Sequence, residues 1–141
     1  MSETKTFEFS LVSAEKSIFS GKANLLVAKT KVGELGIAPG HTQLLAELKP
    51  ADLWLRLENQ EEQVFYVSGG ILEVQPYSVT VLSDTILRAE DLDEAQVLSA
   101  KQRAESLMQN KNNELEYAQA LVELTQALAQ LQALNRFRKK H

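Results

Sequence analysis

The feature that most constrains the fold is a single change in hydrophobic period between residues 84 and 91. Before this point, apolar residues alternate with polar ones in short runs, the period of a β-strand with one buried face. After it, apolar residues recur at steps of three and four, the period of an amphipathic α-helix. We therefore predict two parts of different secondary structure, with boundaries 1–86 and 87–141, within a chain long enough for one domain and an appendage.

The first part is predicted to be an antiparallel β-sandwich or barrel. The alternation recurs in five short runs, at 7–11, 53–57, 64–67, 71–74 and 79–82. Glycine, proline and asparagine separate the runs, as expected of turns. No helical segment intervenes that could cross between parallel strands, which favours antiparallel pairing.

The second part is predicted to be an antiparallel hairpin of two helices, which gives an α+β fold class. Asp91 and Glu94 have the spacing of a capping box at the start of a first helix. The asparagine-rich segment 110–113 then interrupts the helical pattern, and Asn113 with Glu116 offers a second cap. Together these signals predict one helix on each side of the interruption.

The second helix is predicted to end near Phe137 and to carry a short heptad seam. This seam consists of Tyr117, Leu121, Leu124, Leu128 and Leu131. Because both helices are rich in alanine, they can bury only a modest apolar area against the first part. Two interpretations remain open at this point: a permanently docked hairpin that completes the fold, or a hairpin that can detach.

Composition disfavours several classes of site. The chain has no cysteine and only two histidines, His41 and His141, so we expect no metal site, no disulfide and no thiol catalysis. The net charge of −4 disfavours nucleic-acid binding. There is neither a signal-peptide pattern nor a run approaching about 18 apolar residues, so any membrane contact is expected to run through partners.

The last six positions concentrate four cations, Arg136, Arg138, Lys139 and Lys140, which we call the basic tip. They could compensate the helix dipole or dock onto an acidic partner surface, and the pattern favours neither. The segment Gly33–His41, with three glycines and a proline, predicts a compact irregular loop. It lacks the residues of a phosphate loop, which leaves a structural turn or a contact loop.

Ser68 stands beside Gly69 and Gly70 but lacks the Gly-x-Ser-x-Gly pattern of a nucleophile elbow. A small hydrolase that uses Ser68, His41 and Asp84 is therefore disfavoured. The two glycines are better explained by a bulge or a close crossing of two backbones. We expect the chain not to be an enzyme.

Six segments together resemble the epsilon subunits of bacterial F-type ATP synthases, and the likeness runs in order from about Phe9 to the C-terminus. They are Ser13-Ala-Glu15, Phe19-Ser-Gly21, Gly33–His41, Ser68–Pro76, Val79–Asp84 and Asp91-Leu-Asp-Glu-Ala95. The resemblance implies a β-sandwich of about ten strands and two C-terminal helices that either fold against it or extend. It also implies a non-catalytic rotor subunit that couples proton flow to ATP synthesis and inhibits ATP hydrolysis.

The partners that this resemblance implies are the gamma subunit, the membrane c-ring, and the alpha and beta subunits of the catalytic head, at the cytoplasmic face of the bacterial membrane. Carried over residue by residue, Ser13, Glu34, Leu35, Gly36 and His41 fall at the gamma and c-ring contacts. The basic tip would meet acidic loops of the beta subunits. The alternative function is a free-standing β-sandwich adaptor whose helices recruit some other partner.

Some members of this family bind ATP through an Ile/Leu-Asp-x-x-Arg-Ala motif at the start of the first helix. Here Leu92 and Asp93 match and Arg103 lies at a fitting helical step, but Gln96 and Val97 replace the Arg-Ala pair. Losing a guanidinium that would pair with phosphate removes the strongest contact. We therefore expect weak or absent nucleotide affinity and no cofactor.

Overall fold

The computed structural model describes residues 5–109 and 113–140, with Lys140 described by its backbone alone. Within these residues the chain forms nine strands followed by two helices. The strands are β1 Phe7–Val12, β2 Ser17–Thr30, β3 Gly33–Ile37, β4 Leu44–Leu48, β5 Ala51–Leu57, β6 Glu62–Val67, β7 Gly70–Gln75, β8 Ser78–Leu82 and β9 Ile86–Arg88. A short 3₁₀ turn, Ala89–Asp91, leads to α1 Glu94–Met108 and α2 Glu114–Lys140.

The strands form a sandwich in which the long strand β2 takes part in both layers. Hydrogen bonding follows the order β1-β8-β7-β4-β2-β5-β6-β9, with β3 beside β2 and a further pairing of β1 with β2. One layer therefore contains β1, β8, β7 and β4, and the other contains β3, β5, β6 and β9. The α+β prediction is confirmed, although one pair, β1 with β8, runs parallel.

The core lies between the layers and consists of the inward residues of the alternating strands. These side chains are almost fully buried, as expected for the apolar face of a period-2 pattern. The largest include Phe9, Leu26, Leu53, Phe65 and Leu72. This core makes the sandwich a rigid base for whatever its outer faces carry.

Gly70 marks a close crossing of two backbones at the start of β7. Its φ is +125°, and a Cβ at this position would lie 2.0 Å from the carbonyl oxygen of Leu82. Only glycine fits so close an approach. Of the two explanations predicted for Gly69 and Gly70, a bulge or a close crossing, the structure has the crossing at Gly70.

The prediction of an irregular loop over Gly33–His41 is wrong for its first half. Gly33–Ile37 is strand β3, which pairs with β2 from Thr30↔Gly33 to Leu26↔Ile37. Thr30 Oγ1 donates to the Gly33 carbonyl oxygen at 2.8 Å, and Gly33 has a φ of +133°, so a tight hairpin closes here. The segment Gly33–Ile37 was not predicted as an edge strand because its glycines interrupt the apolar alternation by which strands are recognised.

The first helix begins later than predicted. Asp91 closes the 3₁₀ turn, and Asp93 is the residue whose carboxylate accepts from two backbone N–H groups of α1, at 3.0 and 3.4 Å. The predicted cap at Asn113 is confirmed by the two N–H groups that donate to its side chain. Apart from Asn113, the predicted interruption at 110–113 lies outside the described residues.

The predicted leucine seam of the second helix is also wrong. Tyr117, Leu121 and Leu128 are exposed, and α2 continues past Phe137 to Lys140. The buried side chains of α2 are instead mostly alanines: Ala120, Ala127, Ala129, Ala133 and Leu134. Small side chains let α2 lie close to α1 and to the sandwich at once, which larger residues at these positions would prevent.

Candidate functional site

The outer face of the β4–β7–β8 layer carries an apolar patch, which we call the outer patch. Leu45, Ile71 and Leu82 are 70%, 47% and 46% exposed. The strand register places them on one face, since Ile71 lies opposite both Glu47 and Leu82, and Leu45 is two residues from Glu47. Half-buried Val12 adjoins Leu82 across the parallel pair. In the register Glu73 lies opposite Leu45 and Glu47 lies opposite Ile71, so the patch combines exposed apolar side chains with acidic ones. Such a surface on a rigid sheet suits the docking of a partner protein.

Ser13 lies at the edge of the same layer, directly after Val12. Its hydroxyl donates to the Lys16 carbonyl oxygen at 3.2 Å, and its N–H donates to the same oxygen at 2.9 Å. Ser13 therefore shapes the turn from β1 to β2. Of the residues carried over from the resemblance, Ser13 lies beside the outer patch.

The other four carried-over residues lie on β3 and in the loop that follows it. Glu34 and Gly36 are exposed, and Leu35 is half-buried. His41 lies beyond the strand, with its Nδ1 2.7 Å from the Thr42 carbonyl oxygen. These residues form an edge of the sandwich with exposed positions, while Leu35 packs partly against the core.

The opposite layer is covered by α2. Trp54, Val64 and Tyr66 on the outer faces of β5 and β6 form a buried cluster with Ala129 and Ala133 of the helix. β5 is therefore buried on both faces, although its sequence alternates like a strand with one solvent face. The covering helix is the reason that Trp54 is only 6% exposed.

A buried carboxylate lies at the edge of this cluster. Asp52 of β5 is 3% exposed and pairs with Lys29 of β2. From α2, Arg136 Nη1 donates to Asp52 Oδ2 at 3.2 Å. The guanidinium of Arg136 also lies 5.8 Å from the centre of the Trp54 ring, within cation–π range.

The basic tip is thus folded back onto the molecule. Arg136 pairs with Asp52, and Arg138 forms an ion pair with Glu94 at the start of α1. Lys139 is exposed and lines a cavity of about 500 Å³ together with Lys29 and Asp52. The side chain of Lys140 lies outside the described part of the chain.

Tyr66 adds a polar contact between β6 and α2. Burial raises the pKa of Tyr66 above its ordinary value of 10.0, and a side-chain hydrogen bond with Gln130 partly offsets this increase. A phenol in this place is therefore held in its neutral form.

The two residues proposed for nucleotide contact line one cavity of about 670 Å³ between α1, α2 and the 3₁₀ turn. Arg103 is exposed there, and Asp93 uses one carboxylate oxygen to cap α1. Asp91 lines the same cavity. A lining that includes two carboxylates and one guanidinium disfavours the binding of a polyphosphate.

Two residues of the disfavoured hydrolase, Ser68 and His41, are engaged in separate contacts. Ser68 Oγ accepts from the Thr85 N–H at 3.0 Å and lies 3.3 Å from Ser83 Oγ. The ring of His41 is engaged with the Thr42 carbonyl. Ser68 therefore stabilises the turn between β8 and β9.

Sequence reasoning missed both the outer patch and the Asp52 contact. Leu45, Ile71 and Leu82 occupy positions of their strands where the alternation predicts an exposed, polar residue. An apolar residue at such a position could have indicated a binding surface. Asp52 and Arg136 are separated by 84 positions, so no local pattern connects them. Across the described ranges, neither helix is both long and apolar enough to cross a bilayer.

Two family models together match nearly the whole chain. The model described as "ATP synthase, Delta/Epsilon chain, beta-sandwich domain" matches residues 6–89. The model described as "ATP synthase, Delta/Epsilon chain, long alpha-helix domain" matches residues 90–135.

Curated relatives share about half of the residues. The chain is 53% identical over 135 residues to a protein of Nitrosococcus oceani named ATP synthase epsilon chain, and the match covers 96% of each chain. A protein of Alkalilimnicola ehrlichii with the same name is 49% identical, again with 96% of each chain covered.

Among solved structures, the fold is similar to a chain in the mitochondrial ATP synthase of Euglena gracilis, with a TM-score of 0.85 and 20% identity. That match covers 92% of this chain and 81% of the other. A chain in the central stalk and c-ring structure of Tetrahymena thermophila gives a TM-score of 0.63 at 18% identity, covering 94% and 99%. At these identities the likeness concerns the fold.

Proposed function

The chain belongs to the ATP synthase delta/epsilon chain family, and from this premise we propose that it is the epsilon subunit of an ATP synthase. It is a non-catalytic part of the central stalk. It couples proton flow through the c-ring to ATP synthesis in the catalytic head. Its C-terminal helices inhibit ATP hydrolysis.

One observation carries this proposal: the sandwich has two unlike outer faces on opposite layers. The outer patch is exposed and apolar, whereas the β5–β6 face is covered by a helix that buries mainly alanine. A subunit built this way can hold one partner permanently through the outer patch while its helices change position. That combination suits a rotor subunit that also regulates.

The gamma subunit is the proposed partner of the outer patch and of Ser13. The c-ring is the proposed partner of the β3 edge, through Glu34, Leu35, Gly36 and His41. Exposed backbone and side chains along an edge strand supply hydrogen-bonding groups for such a contact. Membrane contact then runs through the complex, at the cytoplasmic face of the bacterial membrane.

The helical part, 87–141, is proposed to leave the sandwich part, 1–86, and to bring the basic tip to the alpha and beta subunits. Supporting this is the small size of the buried side chains of α2, four of which are alanines, because limited burial keeps two arrangements within a few kcal/mol. Nucleotide binding at Asp93 and Arg103 is proposed to be weak, since Asp91 adds a second negative charge to their cavity.

Ending the chain after Asp91 tests this function, because it removes both helices and keeps β9 and the 3₁₀ turn. Assembled into the ATP synthase, the shortened chain should still bind gamma and support coupling, and ATP hydrolysis should rise about fivefold or more. Gel filtration with gamma and a hydrolysis assay measure the two results. Hydrolysis equal to that of the complex with the full chain would refute the inhibitory role, and loss of gamma binding would refute the assignment to the stalk.

A further inference from the structure

The Asp52 carboxylate is the most deeply buried charge among the described residues that form ion pairs. Its side chain is 2% exposed, whereas those of Lys29 and Arg136 are 22% and 29% exposed. A buried carboxylate is stable only when cations or donors compensate it. One of its two cations, Lys29, belongs to the sandwich, and the other, Arg136, arrives with α2.

The contact of Arg136 with Asp52 closes only when α2 lies on the sandwich. It joins positions 84 residues apart, and the same guanidinium lies over Trp54, whose cluster includes Ala129 and Ala133 of α2. A second pair, Arg138 with Glu94, ties the helix end to the start of α1. The Arg136–Asp52 pair and the apolar contacts of α2 with the sandwich therefore form and break together, whereas the Arg138–Glu94 pair lies within the helical part.

These pairs involve the residues proposed for docking. While Arg136 is bound to Asp52, its guanidinium is held against the sandwich and cannot at the same time bind an acidic surface of the head. The two sets of contacts are mutually exclusive, so each shifts the equilibrium of the other.

We propose that Asp52 and Arg136 form an intramolecular latch that withholds the basic tip from the catalytic head. This inference rests on the proposed function and adds its regulation: the sandwich carries a built-in competitor for the inhibitory contact. Neutralising Asp52 should therefore strengthen inhibition, although Asp52 itself never meets the head.

The chain contains its own reporter for the latch. Trp54 is the single tryptophan, and α2 covers it. Opening of the helix exposes the indole, so acrylamide quenching of its fluorescence follows the open population in the full chain.

The test uses Asp52→Asn, which keeps the side-chain shape, and Arg136→Gln. Both variants should raise the Stern–Volmer constant of Trp54 about twofold or more. Glu105→Gln is the matched control, because it neutralises an exposed acid whose partner, Lys101, lies on the same helix. This control should quench like the wild type.

The two variants are expected to differ in how strongly they inhibit ATP hydrolysis. Added to ATP synthase depleted of this subunit, Asp52→Asn should inhibit hydrolysis at a concentration about three- to tenfold below that of the wild type. Arg136→Gln opens the latch but lacks a docking cation, so its inhibition should be no stronger than that of the wild type.

Quenching in both variants equal to that of Glu105→Gln would overturn the latch. If circular dichroism showed that Asp52→Asn unfolds the sandwich, Arg136→Gln would decide alone, since it changes only the end of a helix. Exposure of Trp54 in both variants with inhibition by Asp52→Asn equal to that of the wild type would show that the contact closes the helices without withholding the basic tip, and would overturn the proposal. Absence of inhibition by the wild type itself would refute the inhibitory role instead.

Discussion

Tyr66 shows how a single residue makes the helix contact depend on pH. Its phenol is almost fully buried, and burial raises the pKa of Tyr66 above 10.0, with Gln130 as the partly offsetting hydrogen-bond partner. Above pH 10, the unfolded chain releases this proton while the folded chain retains it. The folded state then binds more protons, so stability falls as the pH rises. The contribution of Tyr66 to the free energy of unfolding is fully present below about pH 10 and is lost as the pH rises through its raised pKa.

We expect Tyr66→Phe to remove this part of the pH dependence. Between pH 9 and pH 11 the wild type should lose up to about 1.4 kcal/mol of unfolding free energy per pH unit from this residue. At pH 8 the variant should be about 1 kcal/mol less stable, because it loses the hydrogen bond to Gln130. Urea unfolding at both ends of the range measures these differences.

Tyr77→Phe is the matched control, since Tyr77 is 58% exposed. It should unfold with the same pH dependence as the wild type. A dependence that persisted in Tyr66→Phe and disappeared in Tyr77→Phe would contradict this account.

At the scale of elements, α2 packs closely against the sandwich because its buried side chains are small. Ala133 is fully buried in the cluster with Trp54, while Leu128 is 42% exposed. Ala133→Leu should push the helix away from the sandwich and cost about 1–3 kcal/mol. Leu128→Ala should change stability by less than about 0.5 kcal/mol. Thermal unfolding and Trp54 quenching measure both, and a larger effect at Leu128 would restore the leucine seam that the heptad pattern predicted.

The elements that the sequence predicted well are those with one buried face and a clear period. The alternation at 7–11 and 71–74 identified β1 and β7, and Asn113 identified the start of α2. The alanine contact was missed because alanine fits both a buried and an exposed helix face. β2 was missed because its apolar residues Leu25, Leu26, Val27 and Ala28 run continuously, with the core on one side and the Trp54 cluster on the other.

The candidate site also contains some features that the sequence indicated and others that only the fold reveals. The resemblance singled out Ser13 and the Gly33–His41 segment, and the clustering of charge singled out the basic tip; their contacts with partners stay predictions. The outer patch and the latch join residues that are distant in sequence, and each depends on the strand register or on the docking of α2. Contacts of this kind arise when the fold packs, and they produce no periodic pattern in the local sequence.

At the scale of the whole molecule, the two surfaces proposed to bind partners lie on opposite layers of one rigid core. The outer patch should therefore hold gamma regardless of the position of the helices. Leu45→Asp places a charge at the most exposed residue of the patch, and gamma binding should weaken at least about tenfold. Calorimetry with purified gamma measures the affinity, while Trp54 quenching should stay at the wild-type value.

Leu87→Asp is the control for a charge on an exposed apolar residue of the other layer, since Leu87 is 39% exposed on β9. Gamma binding should survive it. If Leu45→Asp also exposed Trp54, the two layers would be coupled through the core, and detachment of the helices would then weaken the hold on the rotor. The proposed function, in which the subunit transmits torque while its helices change position, requires that the two layers be uncoupled, and independence of gamma binding and Trp54 quenching is the direct measure of that requirement.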